Sequence, residues 1–143
     1  MPRIPRNRHR SALLPDGRVL ILGGSEHQFS VSSIEAFDPV SNTFVGAGGL
    51  RTTRTSHTVT LLLNGTVLIA GGVDIFSGPD APESTVLASS ELYIPASQSS
   101  LFTGPLQNSR TGHTATLLKN GAVLVVGRVD NTDNVLASAE LYQ

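Results

Sequence analysis

Three arginine–histidine pairs are the residues of this sequence best suited to chemistry. Arg6, Arg54 and Arg110 each stand three positions before a histidine: His9, His57 and His113. Neutral imidazole is a good ligand for zinc or copper, so a histidine repeated at one place raises the question of a metal. The competing reading is structural. A residue present in every unit answers a need that every unit has, such as tying a connection to its neighbour by hydrogen bonds. We take the structural reading for all six residues, and expect no metal and no cofactor. His27 has no counterpart in the other units and stands alone.

Acids recur as well. Glu26, Asp74 and Asp130 lie at matching places in the three units, with Asp80 and Glu83 added in the second and Asp133, beside Asn131 and Asn134, in the third. Oxygen ligands at this density suit calcium, but no calcium-loop spacing is present. Asp and Asn are also ordinary turn residues that bond their own backbone. Glu35, Glu91 and Glu140 recur too, and are expected to pair with the repeated arginines. No paired carboxylate and no nucleophile–base motif is evident, so no catalytic residue is assigned.

What positions these residues is a stretch written three times: RNRHRSALLPDGRVLILGG from Arg6, RTSHTVTLLLNGTVLIAGG from Arg54 and RTGHTATLLKNGAVLVVG from Arg110. Each copy holds two apolar runs joined by Asp-Gly or Asn-Gly, a hairpin signal read here as a turn with positive φ at both positions. A glycine stop follows: Gly23-Gly24, Gly71-Gly72, and Gly127 with Arg128 in place of the second glycine. The histidines are spaced 48 and then 56 residues apart, and so are Gly17, Gly65 and Gly121. The hairpin therefore keeps its length while a later loop varies, as on a rigid scaffold with changeable loops. A period of about 50 residues built of strands and turns signals a propeller-type array.

The second unit is the most complete. Strands are expected at His57–Leu63, Thr66–Ala70, Ser89–Tyr93 and Ser100–Thr103, forming a four-stranded antiparallel meander. The apolar Thr66–Ala70 run predicts burial on both faces, as when a sheet lies between two others. Val73 to about Ala88 reads as an irregular connection because of Gly78, Pro79 and Pro82. The first unit gives Arg10–Leu14, Arg18–Leu22, Ser33–Phe37 and Thr43–Val45; the third gives His113–Leu118, Ala122–Val126 and Ala137–Tyr142, with no fourth strand. We expect one all-β domain over residues 1–143, with units at about 6–50, 54–106 and 110–143.

The 143-residue chain is 39% hydrophobic and 15% charged, a balance that fits a folded domain rather than disorder. Its net charge of -1 offers no field for nucleic acid, and no apolar run approaches the ~20 residues of a membrane span. Arg3, Arg6, Arg8 and Arg10 bunch at the front and read as solvated. With no cysteine, disulfides and thiolate chemistry are excluded. The start, MPRIPRNRHR, lacks a secretory core. Either the chain is cytoplasmic or it is the truncated piece of a longer, secreted or envelope-associated protein; the compartment stays unknown.

The glycine pair after an apolar strand, a first aromatic (Phe37, Tyr93 or Tyr142) and a second (Phe44 or Phe102) resemble the kelch repeat. Over nearly all of its length the chain resembles bacterial kelch proteins related to the propeller domain of galactose oxidase. The departures are Arg128, Phe where the family has Trp, and a count of three units. The resemblance implies a β-propeller segment of about three blades. It also implies a rival reading as part of a galactose oxidase-like or other propeller enzyme. That oxidase cofactor needs a Tyr cross-linked to a Cys, which this chain cannot form, so copper chemistry is disfavoured. A truncated gene product without a function of its own is the third reading.

Propellers close with about four to eight blades, so three leave two flanks open. The expectation is a piece of a longer propeller or, less favoured, a homodimer completing six blades. Antiparallel order puts the variable loops on one rim with the Arg/His segments. On that rim Glu26, His27, Asp74, Ile75, Phe76, Asp80, Asp130 and Asp133 are the candidate contacts for a protein or glycan partner.

Overall fold

A computed structural model describes residues 1–128, 130, 132, 134, 135 and 137–143. The described residues form three antiparallel meanders and two small accessory hairpins. The first unit contributes β1 (Arg10–Leu13), β2 (Val19–Leu22), the small pair β3 (Ser25–Glu26) and β4 (Phe29–Ser30), then β5 (Ser33–Asp38) and β6 (Thr43–Gly49). The second contributes β7 (Thr58–Leu61), β8 (Val67–Ala70), the pair β9 (Val73–Ser77) and β10 (Pro82–Val86), then β11 (Ser90–Ile94) and β12 (Ser99–Thr103). The third contributes β13 (Thr114–Leu117), β14 (Val123–Val126) and β15 (Ala139–Tyr142). Sheet orders are β1-β2-β5-β6, β7-β8-β11-β12 and β13-β14-β15, so each unit is a meander as expected. The first strands β1, β7 and β13 are neighbours in space. The sheets thus stack like adjacent blades with these strands innermost.

Alternation along each strand decides what closes each seam. Side chains of a strand point to opposite faces in turn, and all four residues of β8 are buried. Val67 and Ile69 join Leu20, Leu22 and Ile34 in a core between the first and second units. Leu68 and Ala70 join Val123 and Val125 in a core between the second and third. In β2 only Leu20 and Leu22 are buried, because Val19 and Ile21 face away from the second unit. Burial on both faces therefore holds for the middle unit. The third-strand tyrosines add a polar tie to each seam. Tyr93 donates its hydroxyl to the Ala47 carbonyl at 2.6 Å, and the Tyr142 hydroxyl lies 2.5 Å from Thr103 Oγ1.

Three local expectations are corrected. In the Asp-Gly and Asn-Gly hairpins only the glycine has positive φ, for example +84° at Gly65. Leu62 N donates to Thr66 O and Gly65 N to Leu62 O, making a three-residue loop that ends in a glycine bulge. The Asn64 side chain accepts from Thr66 N at 3.0 Å, which accounts for the Asn or Asp before each glycine. Second, Val73–Ala88 is not irregular: β9 and β10 pair through five residues each, with Pro82 opening its strand. Proline is tolerated there because β10 is an edge strand. β6 also runs to Gly49, past Val45, after a register shift between Ser33 and Glu35.

Candidate functional site

The repeated arginines are folded into the scaffold. Arg54 donates from Nη1 to the carbonyls of Gly71 and Ser89 at 2.8 and 3.0 Å. Its Nη2 donates to Ser89 Oγ at 3.1 Å and Glu91 Oε2 at 2.7 Å. Glu91 also accepts from the backbone N–H groups of Arg51 and Thr52. Arg6 with Glu35, and Arg110 with Glu140, repeat the pattern, each ion pair 2.8 or 2.7 Å long. One guanidinium thus clamps the segment entering the innermost strand, the glycine stop and the start of the third strand. The expected Arg–Glu pairing is found in every unit, and Arg6 is no solvated cation: its side chain is 1% exposed. Burial pushes the Arg54 pKa down, and the Glu91 carboxylate works against that shift. At Glu140 burial opposes ionisation, yet the Gln107 and Asn108 amides and Arg110 outweigh it and hold the carboxyl below its usual range.

The histidines fill the seams. A Cβ on Gly23 would sit 2.8 Å from His57 Cε1, and one on Gly71 2.7 Å from His113 Cε1. Each imidazole therefore packs its Cε1 against the first glycine of the preceding unit, in space only glycine leaves open. His113 Nε2 is 3.0 Å from Thr58 Oγ1. Arg10 occupies the matching place beside His57. Burial first, then the Arg54 and Arg10 cations, pushes the His57 pKa down to about 3. Burial and Arg110 push His113 down to about 4. Both rings are neutral seam fillers, and among the described residues no three His, Asp or Glu side chains converge on a metal position.

The second glycine serves its own unit. A Cβ on Gly24 would meet the Asn7 carbonyl at 2.6 Å, and one on Gly72 the Thr55 carbonyl at 2.6 Å. Gly24 N and Gly72 N donate across the seams to the carbonyls of Arg54 and Arg110. Arg128 stands here in the third unit, and its side chain lies beside Gly112, where a Cβ would be 3.3 Å from Arg128 Cδ. The first two units carry Arg8 and Ser56 at the place of Gly112. The larger residue at 128 is thus matched by the smallest at 112.

The rim candidates have distinct fates. β4 and β9 lie side by side, so the two accessory hairpins stack across the seam. Asp74 Oδ1 accepts from Ser30 Oγ at 2.8 Å and from Thr53 Oγ1, while Ile75 N donates to Ser30 Oγ at 2.9 Å. Asp74 is therefore a strut between units. Ile75 is half-buried beside it, whereas Phe76 is 40% exposed on β9, opposite Glu83 of β10. Asp80 is exposed at the hairpin tip. His27 is exposed in the β3–β4 turn with φ of +55°, so the turn accounts for its place. Glu26 is half-buried and, with His27, Gln28, Phe29 and Val31, lines an open cleft of about 720 Å³. Asp130 accepts from Thr132 and from the Asn134 amide, interactions that hold its pKa down. Asp133 and Asn131 lie outside the described residues. The sequence reading missed Ser30 and Thr53, whose small hydroxyls carry no pattern until the hairpins stack.

Residues 6–49 match the family model described as the Kelch motif. Among curated proteins nothing matches the chain. The matched unit holds the arginine clamp, the glycine pair and the four-strand order, and the second unit reproduces all three. The third repeats the clamp on a three-stranded sheet. Residues 6–49 thus carry the Kelch motif, and the antiparallel meanders of all three units fit a kelch-repeat propeller arrangement.

Proposed function

We propose that the chain is a non-catalytic binding module that engages a protein partner through the rim bearing β3–β4 and β9–β10. Kelch-repeat modules are commonly protein-binding. The observation that carries the reading is the pair of accessory hairpins locked to each other by Ser30, Thr53 and Asp74. They hold Phe76 40% exposed on β9, across from Glu83 of β10. An apolar side chain held on a rigid support beside an acid suits a partner that offers an apolar pocket edged by lysine or arginine. The clamps and seam histidines are consumed by the scaffold, which leaves chemistry to the rim.

Capture from a lysate on immobilised chain, with identified partners re-tested as pure proteins, checks this. Phe76→Ala should weaken binding at least tenfold and leave the urea midpoint unchanged. Binding that ignores Phe76→Ala, or binding to a glycan array in place of any protein, would overturn the reading.

A further inference from the structure

The units share a pattern of small residues where the innermost strands begin, and arginine breaks it in three places. Where Arg8 stands the other units carry Ser56 and Gly112; where Arg10 stands, Thr58 and Thr114; where Arg128 stands, Gly24 and Gly72. Each replacement works against the scaffold. Arg8 holds a φ of +52°, a left-handed backbone that Gly112 adopts at +63° without steric penalty. Arg10 takes the place from which Thr58 Oγ1 meets His113 Nε2 at 3.0 Å. His57 Nε2 is accordingly buried with no hydrogen-bond partner among the described residues. Arg128 takes a place where a Cβ on Gly24 or Gly72 would lie 2.6 Å from a carbonyl oxygen. Departures that cost stability and gather in one region are characteristic of a functional site.

These three do gather. Gly112 N donates to Ser56 O at 3.1 Å and Ser56 N to Arg8 O at 3.4 Å, so the three matching residues are linked in a row along the inner edge of the stack. The Arg128 side chain lies beside Gly112, with Cδ 3.3 Å and Nη1 3.6 Å from where a Cβ would sit. The third unit thus sets a guanidinium over the position from which Arg8 springs in the first. Arg10 is the first residue of β1, and its charge acts on His57 and His113 alike, which keeps it on the same inner side. All three side chains are exposed. The ion pairs among the described residues are those of Arg6, Arg18, Arg54 and Arg110, so Arg8, Arg10 and Arg128 have no carboxylate partner there.

We infer that this inner rim is an oxyanion site whose ligand is a phosphate group. Each guanidinium offers paired N–H donors that match two oxygens of an anion. A carboxylate, with one charge and two oxygens, occupies a single fork. A phosphate dianion has the charge and the oxygens to engage several forks at once. The end faces of the stack take no part, and the site is independent of the contact proposed at Phe76.

Isothermal titration of the whole chain at low ionic strength, near pH 8, tests this with sodium phosphate, phenyl phosphate and sodium acetate. Saturable binding of phosphate is expected, with acetate at least tenfold weaker. Arg8→Ser, Arg10→Thr and Arg128→Gly each install a residue that another unit carries at that place. Each should weaken phosphate about tenfold, and the three together should abolish it. Arg10→Thr should also raise the urea midpoint, because a hydroxyl then reaches His57. Lys119→Ala, which removes an exposed cation from the β13–β14 turn, should change nothing. Phenyl phosphate binding as tightly as phosphate supports the site with an ester as its ligand, and its exclusion supports the site with the free ion. No phosphate binding, acetate binding as tightly as phosphate, or binding that survives the triple reversion overturns the inference. Should a reversion unfold, side-chain Nε–H signals of the unaltered chain give a second reading. Phosphate should shift those of Arg8, Arg10 and Arg128, and shifts confined to other arginines contradict the site.

Discussion

Replacing Glu91 with glutamine tests the clamp at its most buried point. The Glu91 and Arg54 side chains are both 0% exposed, and the Glu91 oxygens receive Arg54 Nη2 and two backbone N–H groups. Glutamine keeps the shape but turns one acceptor into an NH2 donor facing donors, and leaves the Arg54 cation buried without its counter-charge. Breaking a buried pair from one side costs about 3–5 kcal/mol. Against a total stability of about 5–15 kcal/mol, that is a large fraction. With a urea m-value of about 2 kcal/mol/M, the unfolding midpoint should fall by roughly 2 M. Urea titration at one fixed protein concentration, followed by far-UV circular dichroism, measures it. Glu140→Gln should cost less, because the Glu140 side chain is 9% exposed at the same 2.7 Å separation. Truncating both partners, as in Arg54→Met with Glu91→Leu, should not restore stability. The Gly71 and Ser89 carbonyls and two amides would then lose partners at about 1–3 kcal/mol each. A midpoint shift under about 0.3 M for Glu91→Gln would refute the clamp as a support of the seam.

Glycine replacements should separate crowding from backbone preference. Gly71→Ala places a Cβ 2.5 Å from the Arg110 carbonyl at φ of +64°, and should cost about 3 kcal/mol or more, read as a lower melting temperature. Gly65→Ala, at φ of +84° with nothing within 4 Å, should cost only about 1–2 kcal/mol. Stability should also fall in acid. His57 and His113 titrate near 6.5 when unfolded but at about 3 and about 4 when folded. Their contribution is complete above pH 6.5, falls by about 1.4 kcal/mol per pH unit per histidine as pH drops, and is gone below the folded values. Urea titrations from pH 7 to 4 check this, and His57→Asn should flatten the slope. Tyr93→Phe removes the 2.6 Å bond to Ala47 O and should cost about 1 kcal/mol in the same titration.

The strands were legible because their pattern is local. Val67–Ala70 is apolar without a break, and that is what a strand between two cores requires. The Arg–Glu clamps were legible as partners because both members recur in phase; the role of the histidines was legible only as structural. That His57 lies on Gly23 depends on how one sheet leans on the next, and spacing carries no record of that. The accessory hairpins were not legible for the same reason. Pro82–Val86 is polar and exposed, and its order rests on a pairing with β9 that is anchored by Ser30 and Thr53 from elsewhere in the chain. The turn was misread because Asn64-Gly65 fits two loop geometries, and the bond from Gly65 N to Leu62 O selects the one with a single left-handed residue. The repeated acids looked equivalent, yet Asp74 braces a seam while Asp130 folds back on Thr132.

Each sheet is sealed to the next by an imidazole packed on a bare glycine, and this contact is what makes the three sheets one stack. A 13C-edited NOESY spectrum of labelled protein addresses that contact directly. Strong cross-peaks are expected from His57 Hε1 to Gly23 Hα and from His113 Hε1 to Gly71 Hα. Their absence, in a spectrum that still shows the cross-strand peaks of β7 with β8, would contradict it.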